Sequence, residues 1–322
     1  MSFREKYESC MGRLNSVGKP DYPEDEISYH ADFIELWTAF TDSEEVSYGD
    51  IQDRFYGEPD ENNSAEVNDS NEIFIRRIIG LLEERAVLFG EAYPFGVDIS
   101  RGISLKKNLT VRQSLYILLL CSSSLDVFNA LNAELTSDFE ALSFHALKNF
   151  LPNAVVRAFG KHSEYRGNAP EKILQLAMEM GISLDGKEFA QINPRNVQER
   201  GLDVVGWIPF PDHCPNKVVF LCQCACGKDY ALKQHDTQRF ANYLNFYKTR
   251  PQHTLFIPYS LIRMQDGQFF HSDDIQKGFL VFERLRMLAL LPQESGILES
   301  LQSVGMLQEL GKRPDVAYVS FD

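Results

Sequence analysis

Apolar residues in the first part of the chain recur mainly at the spacing of amphipathic helices. Phe33 and Phe40, with the apolar residues between them, would share one face of a first helix. A second helix is predicted after Ser47, which can act as its N-cap, and a third over residues 72–85. We therefore expect a mainly helical first domain, residues 1–130.

A β-hairpin is predicted after these helices, because residues 86–97 and 102–106 alternate like strands. Three helices followed by a hairpin is the element order of a winged helix. A DNA-reading helix is normally basic, and here only Arg76, Arg77 and Arg85 would supply charge. The first domain is accordingly expected to bind DNA or a partner, or to sense a target, with a plain helical scaffold as the alternative.

Strand-length apolar runs are concentrated in the second half of the chain, residues 131–322. A helix is predicted first, then a strand, a long insertion, two strands, a helix and a fourth strand. The insertion includes a helix whose start is marked by Pro170 and whose end is marked by Gly181. A second helical stripe and a tail with a final strand follow. In chain order, the predicted bounds are 139–151, 154–159, 202–210, 217–225, 230–247, 253–259 and 275–291. This order predicts an α+β fold.

One acid lies inside an apolar run of this half. Asp203 occurs in L-D-V-V-G-W, where a carboxylate is costly to bury unless a partner compensates it. It is therefore a candidate functional group, and a strand-end Asp that reaches water is the alternative. The next strand ends in a polar cluster that runs from Gln223 to Lys228.

Together these segments resemble motifs of the PD-(D/E)XK nuclease superfamily, whose fold is restriction-endonuclease-like. The matching sequences are G-L-D-V-V at 201–205 and L-C-Q-C-A-C-G-K at 221–228. F-E-A-L at 139–142 is similar to the acidic first helix of the Mrr-type branch. The resemblance covers about residues 138–260. It implies an αβββαβ mixed sheet flanked by helices.

The resemblance also implies a site for Mg²⁺ or Mn²⁺ beside the scissile phosphate. Asp203 and Gln223 would supply oxygen ligands, which suit these hard cations. Because Gln223 carries no charge, Glu140 or Glu199 would supply the additional negative charge.

The catalytic lysine of the superfamily motif is missing here. The pattern places it two residues after Gln223, where this chain has Ala225. Lys228 follows Gly227, and a turn at that glycine would let its long side chain fold back into the site. In the site it would orient the attacking water and stabilise charge on the phosphate. Without it, the fold would bind without cutting.

The net charge of −14 is spread unevenly along the chain. Residues 1–100 carry 23 acidic and 8 basic side chains, whereas residues 216–263 carry 2 acidic and 7 basic ones. The overall charge argues against a general nucleic-acid coat, but the local excess is compatible with one phosphate-facing surface. A solvated helix face is the alternative interpretation.

Cysteine usage points to a reducing compartment. Of six cysteines, four lie within thirteen residues, a crowding unlike a secreted disulfide framework. No apolar run approaches the roughly 18 residues of a membrane span, and the first residues lack a signal-peptide apolar region. We expect a cytoplasmic protein.

The crowded cysteines allow a zinc site as an alternative. Cys222, Cys224 and Cys226 alternate along one strand and share a face, and His213 and Cys214 lie nearby in sequence. Ligands on a straight strand are about 6–7 Å apart, which is too far to meet one ion without a bend. Packing of free thiols as small apolar side chains is the favoured interpretation.

The function expected from these observations is a Mg²⁺-dependent deoxyribonuclease. The resemblance implies a bacterial restriction or anti-phage role, with DNA as substrate. A protein of the same defence system and a second copy of the chain would be further partners. The alternative function is a catalytically inactive nucleic-acid- or protein-binding module with the nuclease fold.

Overall fold

The computed structural model describes residues 1–57, 65–193, 201–212 and 214–312. The chain divides into two compact units. The first comprises Met1–Leu135, Tyr259–Phe270 and the described residues from Gln293 onward, and the second comprises the rest. Two stretches near the end of the chain thus belong with the first unit. The expected division at residue 130 concerns independently folding domains and stays a prediction.

Helices dominate the chain before residue 132. In chain order the elements are α1 (Phe3–Ser16), α2 (Ile27–Phe40), β1 (Glu45–Ser47), α3 (Tyr48–Tyr56), α4 (Ala65–Phe89), β2 (Phe95–Asp98), β3 (Gly102–Leu105) and α5 (Val111–Ser122). Strand β3 lies between β1 and β2 and is antiparallel to both. Ser47 caps α3, as predicted: its hydroxyl accepts from the backbone N–H of Asp50, whose side chain accepts from the Ser47 N–H.

Helix α4 extends beyond its predicted end. Residues 86–89 are its last turn rather than the start of a strand, because Leu82, Arg85 and Phe89 are all buried at helical spacing. Arg85 is therefore unavailable to DNA, and that part of the sequence interpretation is wrong.

The elements from residue 132 onward alternate between helices and short strands. They are α6 (Asn132–Phe150), β4 (Val155–Ala158), α7 (Ala169–Met180), α8 (Gly186–Phe189), β5 (Val204–Trp207), β6 (Val219–Cys224), α9 (Tyr230–Gln238), α10 (Phe240–Tyr243), β7 (Gln252–Phe256), β8 (Phe279–Phe282), α11 (Arg284–Leu290), α12 (Gly296–Glu299) and α13 (Val304–Gly311). The predicted final strand lies outside the described residues. The expected α+β class is confirmed.

A mixed five-stranded sheet forms the centre of the second unit, in the order β4-β5-β6-β7-β8. Strand β5 is antiparallel to β4 and β6, whereas β6, β7 and β8 are parallel. The carboxyl ends of β4, β6, β7 and β8 therefore share one edge with the amino end of β5. That edge holds Asp203, immediately before β5, and Gln223 near the end of β6.

One face of this sheet carries the main apolar cluster of the second unit. Val205, Trp207 and Leu221 belong to a cluster with Ile173 of α7 and Phe240 of α10. Full burial of such a side chain contributes about 1.5–3 kcal/mol relative to exposure. This apolar cluster therefore stabilises the position of the strands next to the candidate site.

Helix α6 packs against the opposite face. At Gly206 in β5, a Cβ atom would lie 3.2 Å from Cδ2 of Leu147, so the helix approaches the strand closely. The Cys224 thiol of β6 interacts with the hydroxyl of Ser143, one helical turn after Glu140. This packing brings Glu140 to the edge that holds Asp203.

Two predicted helices have different bounds in the structure. Helix α6 begins at Asn132 rather than Phe139, because Leu135 already continues the buried helical stripe. Glu140 is therefore an interior residue of the helix. The helix predicted over 230–247 is broken into α9 and α10, and Leu244 beyond them is extended and pairs with Leu184.

The helix predicted over 275–291 is wrong in its first half. Residues Phe279–Phe282 form β8, which pairs in parallel with β7. A continuous apolar run is typical of a buried parallel strand, and F-L-V-F fits that pattern as well as a helical one. Among the described residues, no helix is long and apolar enough to cross a membrane.

Candidate active site

The backbone of Asp203 is fixed on both sides. Its N–H donates to the Cys222 carbonyl at 3.0 Å, and its carbonyl accepts from the N–H groups of Phe159 (2.7 Å) and Gly160 (3.0 Å). These bonds attach the residue to β6 and to the end of β4. Asp203 is half-buried, so neither a fully buried acid nor a plain strand-end acid describes it.

The Asp203 carboxylate is bound to β6 through one oxygen. Oδ2 accepts from Gln223 Nε2 at 3.0 Å and from the Cys224 backbone N–H at 2.7 Å. Bonds of N–H groups to a carboxylate are stronger than those between neutral groups. The side chain is thereby held in one orientation at the sheet edge.

Gln223 has an unsatisfied amide oxygen. The side chain is only 6% exposed, and its Oε1 has no hydrogen-bond partner among the residues that the structure describes. Leaving a buried acceptor unpaired costs about 1–3 kcal/mol. A cation or a hydrogen-bond donor that bound here would recover that free energy.

Glu140 reaches the same place from α6. Its Oε2 accepts from the Lys161 backbone N–H at 2.9 Å. A Cβ atom at Gly160 would lie 2.8 Å from Glu140 Oε2 and 3.1 Å from Asp203 Oδ1. The two carboxylate oxygens therefore cannot be farther apart than the sum of these two distances. Both carboxylates lie next to Gly160.

A cavity of about 210 Å³ opens beside these carboxylates. At about 30 Å³ per water, it has room for roughly seven waters or a hydrated cation. The residues that line it are Glu140, Ala141, Phe144, His145, Ala158, His162, Glu164 and Asp203. The lining thus combines three apolar side chains with three carboxylates and two imidazoles.

Two lysines lie near the site, and neither has a catalytic role in the interpretation of the sequence. Burial raises the pKa of the Cys226 thiol; Lys233 and Lys161 oppose that rise, whereas Glu140 and Asp203 add to it. All four charged groups therefore influence the Cys226 thiol, which follows the end of β6. Lys161 Nζ donates to Thr136 Oγ1 at 2.6 Å, one turn before Glu140 on α6.

The structure places Lys228 in the exposed turn between β6 and α9. Ala225, at the position of the superfamily lysine, is wholly buried. A catalytic role for Lys228 stays a prediction. Glu199, the other suggested source of negative charge, lies outside the described residues.

The clustered cysteines form no disulfide with any described residue. Burial raises the pKa of Cys222 and Cys224, which keeps both thiols neutral. Among the described residues, no group of three or more His, Cys, Asp or Glu is arranged to hold a metal ion. His213, which the zinc alternative needs, is not among them. The observed packing agrees with thiols used as small apolar side chains.

The loop after β4 borders the site. His162 and Glu164 line the cavity, and Lys161 binds Glu140 through its backbone. One signal was available: the loop follows Gly160 at a strand end, on the same edge as the end of β6. No protein-family model, curated protein or solved structure matches this chain.

Proposed function

We propose that this chain is a metal-dependent endonuclease that cleaves DNA phosphodiester bonds. The approach of Asp203 and Glu140 to one point beside Gly160 carries this proposal, together with Gln223, which binds Asp203 and keeps an Oε1 unpaired among the described residues. Two carboxylates and an amide oxygen form a donor set that hard divalent cations prefer.

The order of elements around these residues supports a restriction-endonuclease-like fold. Helix α6 is followed by β4, an insertion with α7 and α8, then β5, β6, α9 and β7. Without the insertion this is the αβββαβ order of the PD-(D/E)XK superfamily. In the first unit, the order α2-β1-α3-α4-β2-β3 with β3 in the middle supports a winged-helix-like arrangement.

Mg²⁺ or Mn²⁺ fits the residues present. Asp203, Glu140 and Gln223 Oε1 would hold the ion, and the unpaired amide oxygen would gain a partner. Once bound, such an ion polarises a phosphoryl oxygen and lowers the pKa of a water that it binds. The chain itself keeps Asp203 in place through its backbone bonds to β4 and β6.

Basic side chains of the second unit suit a DNA backbone. Lys228, Arg239, Lys248 and Arg250 are exposed, and each can neutralise a phosphate. Lys217 is excluded from this set because it is buried and donates to the Met180 carbonyl at 2.7 Å.

The second candidate function is a non-catalytic module that binds nucleic acid or a partner protein. Ala225 favours it, because an apolar, wholly buried side chain occupies the position of the superfamily lysine. In that case the site would bind DNA or a defence partner without hydrolysis.

Cleavage of supercoiled plasmid tests the first proposal. The wild type is expected to nick plasmid with Mg²⁺ or Mn²⁺ and to stop in EDTA. Asp203→Asn should slow cleavage by roughly 10²-fold or more, comparable to losing one group that stabilises the transition state. The exposed Asp273→Asn in the same unit is the matched control and should cut normally. Intact plasmid with every metal, together with DNA binding, would favour the non-catalytic function.

A further inference from the structure

His162 is a titratable group of the site that has no role in the proposed function. It lies on the loop that follows β4 and Gly160, and it lines the cavity with Asp203 and Glu140. The side chain is exposed, so solvent and a bound substrate can both reach it.

One ring nitrogen of His162 is fixed by α6. Nε2 lies 2.9 Å from the backbone carbonyl oxygen of Ser137 and 3.0 Å from its Oγ. A carbonyl oxygen only accepts hydrogen bonds, so Nε2 must carry the proton. In a neutral imidazole the other nitrogen, Nδ1, then has a lone pair. The fold thus selects the tautomer in which Nδ1 acts as a base.

Charged and titratable groups from helix α6, from the start of β5 and from the loop lie along the same cavity as this ring. Glu140 and His145 come from α6, Asp203 from the start of β5, and Lys161 and Glu164 from the loop itself. A proton acceptor beside a metal-binding donor set is the arrangement that hydrolysis needs.

We propose that His162 is the general base of the phosphodiester hydrolysis, an inference that rests on the proposed function. Nδ1 takes a proton from the attacking water as the water oxygen forms its bond to phosphorus. The phosphorus–oxygen bond to the leaving nucleoside breaks, and that oxygen departs with the electron pair and takes a proton from solvent. His162 then returns its proton to solvent. The site in this way obtains the basic group that Ala225 does not provide.

Chemical rescue tests this role. His162→Ala should lower the rate of plasmid cleavage by about 10²–10⁴-fold, the usual contribution of general acid–base catalysis. Added imidazole should restore cleavage in a concentration-dependent way, and Mn²⁺ binding measured by EPR should be unchanged. His235→Ala, at an exposed position on α9, is the matched control and should neither lose activity nor respond to imidazole.

Several results would overturn the inference. One is cleavage by His162→Ala at the wild-type rate. Another is a loss of activity that imidazole does not restore, together with a loss of Mn²⁺ binding. Rescue of a His145→Ala variant instead would assign the base to α6. If wild-type protein cuts no plasmid with any divalent metal, the proposed function fails, and the inference fails with it.

A second measurement does not depend on catalysis. Nitrogen-15 NMR of the metal-free, histidine-labelled chain should find the His162 ring protonated at Nε2 and unprotonated at Nδ1 when the ring is neutral. The Ser137→Ala variant removes only the hydroxyl and should keep this tautomer, because the carbonyl remains. A wild-type ring protonated at Nδ1 would overturn the inference even in an active nuclease.

Discussion

The two units of the chain each hold a pair of carboxylates, and the pairs are built differently. In the first unit, Asp32 and Glu35 of α2 share one guanidinium: Arg85 Nη1 lies 2.8 Å from Asp32 Oδ1 and 3.0 Å from Glu35 Oε2. All three side chains are at most 5% exposed. In the second unit, Asp203 and Glu140 are half-buried and border a cavity.

Side chains of the first unit donate hydrogen bonds to both carboxylates of its pair. Tyr93 and Tyr116 donate their hydroxyls to Glu35 at 2.7 to 3.0 Å, and Ser123 donates to Asp32 at 3.2 Å. Burial by itself would lower the pKa of Arg85, but Glu35 and Asp32 raise it above its ordinary value, so the guanidinium stays charged. This buried network of ion pairs and hydrogen bonds is typical of groups that stabilise a protein core.

The comparison separates a structural use of carboxylates from a chemical one. Protein donors complete the first pair, whose side chains are at most 5% exposed. The second pair faces open volume, and its neighbour Gln223 keeps an oxygen that no described residue contacts by a hydrogen bond. Removing a charged group from the first pair should therefore destabilise the fold of the first unit. Removing one from the second pair should instead reduce the activity of the second unit.

The largest expected effect is on stability in the first unit. Arg85→Met would leave two buried carboxylates without their cation, and breaking a buried ion pair costs about 3–5 kcal/mol. Denaturant unfolding followed by circular dichroism measures the change. The control is Arg76→Met on the same helix, where the pair with Glu72 is exposed and should have no measurable effect. If the Arg85→Met protein were as stable as the wild type, the carboxylate pair of the first unit would not have the structural role assigned to it.

The same substitution in both pairs gives the next test. Asp32→Asn should lower the free energy of unfolding by a few kcal/mol, because it removes one charge from a buried network. Asp203→Asn should change it by less than about 1 kcal/mol, since Asn keeps an oxygen to accept from Gln223 and Cys224. Mn²⁺ binding measured by EPR should instead fall with Asp203→Asn. Equal destabilisation by both variants would contradict the distinction between the pairs.

A smaller effect is expected at the glycine between the two carboxylates. Gly160→Ala would place a Cβ 2.8 Å from Glu140 Oε2, and the carboxylate would have to move while its Lys161 bond holds it. We expect roughly 10-fold weaker metal binding or slower cleavage, within the range for displaced supporting groups. Gly186→Ala is the control, because a Cβ there meets nothing within 4 Å. If the Gly160→Ala protein bound metal with normal affinity, Glu140 would not be part of the metal site.

The sequence predicted local structure best where one residue type had one physical consequence. Pro170 and Gly181 marked the two ends of α7, and Gly181 indeed adopts the left-handed conformation with φ of 65°. Ser47 likewise marked the start of α3. Residues 279–291 failed because an apolar run followed by F-E-R-L-R fits a strand and a helix alike, and only pairing with β7 decides between them.

The candidate site was predictable in part for a related reason. Asp203 and Gln223 follow from strand order, and the structure places them within hydrogen-bond distance. His162 and Lys161 are brought there by a loop whose path depends on tertiary packing, which no periodicity encodes. Arg85 was misjudged because a charge in a helix suggests exposure, whereas its two acidic partners lie some fifty residues earlier in the chain.

The smallest predicted effect concerns a buried histidine of the first unit. His30 is wholly buried, and burial lowers its pKa below the ordinary value near 6.5. The unfolded chain therefore binds more protons than the folded one as pH falls below about 6.5, and stability declines toward acid. One such proton is worth at most about 1.4 kcal/mol per pH unit. Unfolding measured from pH 7.5 to 5.5 should show a smaller slope in His30→Gln than in wild type. An unchanged slope would mean that His30 does not contribute to the acid sensitivity of the first unit.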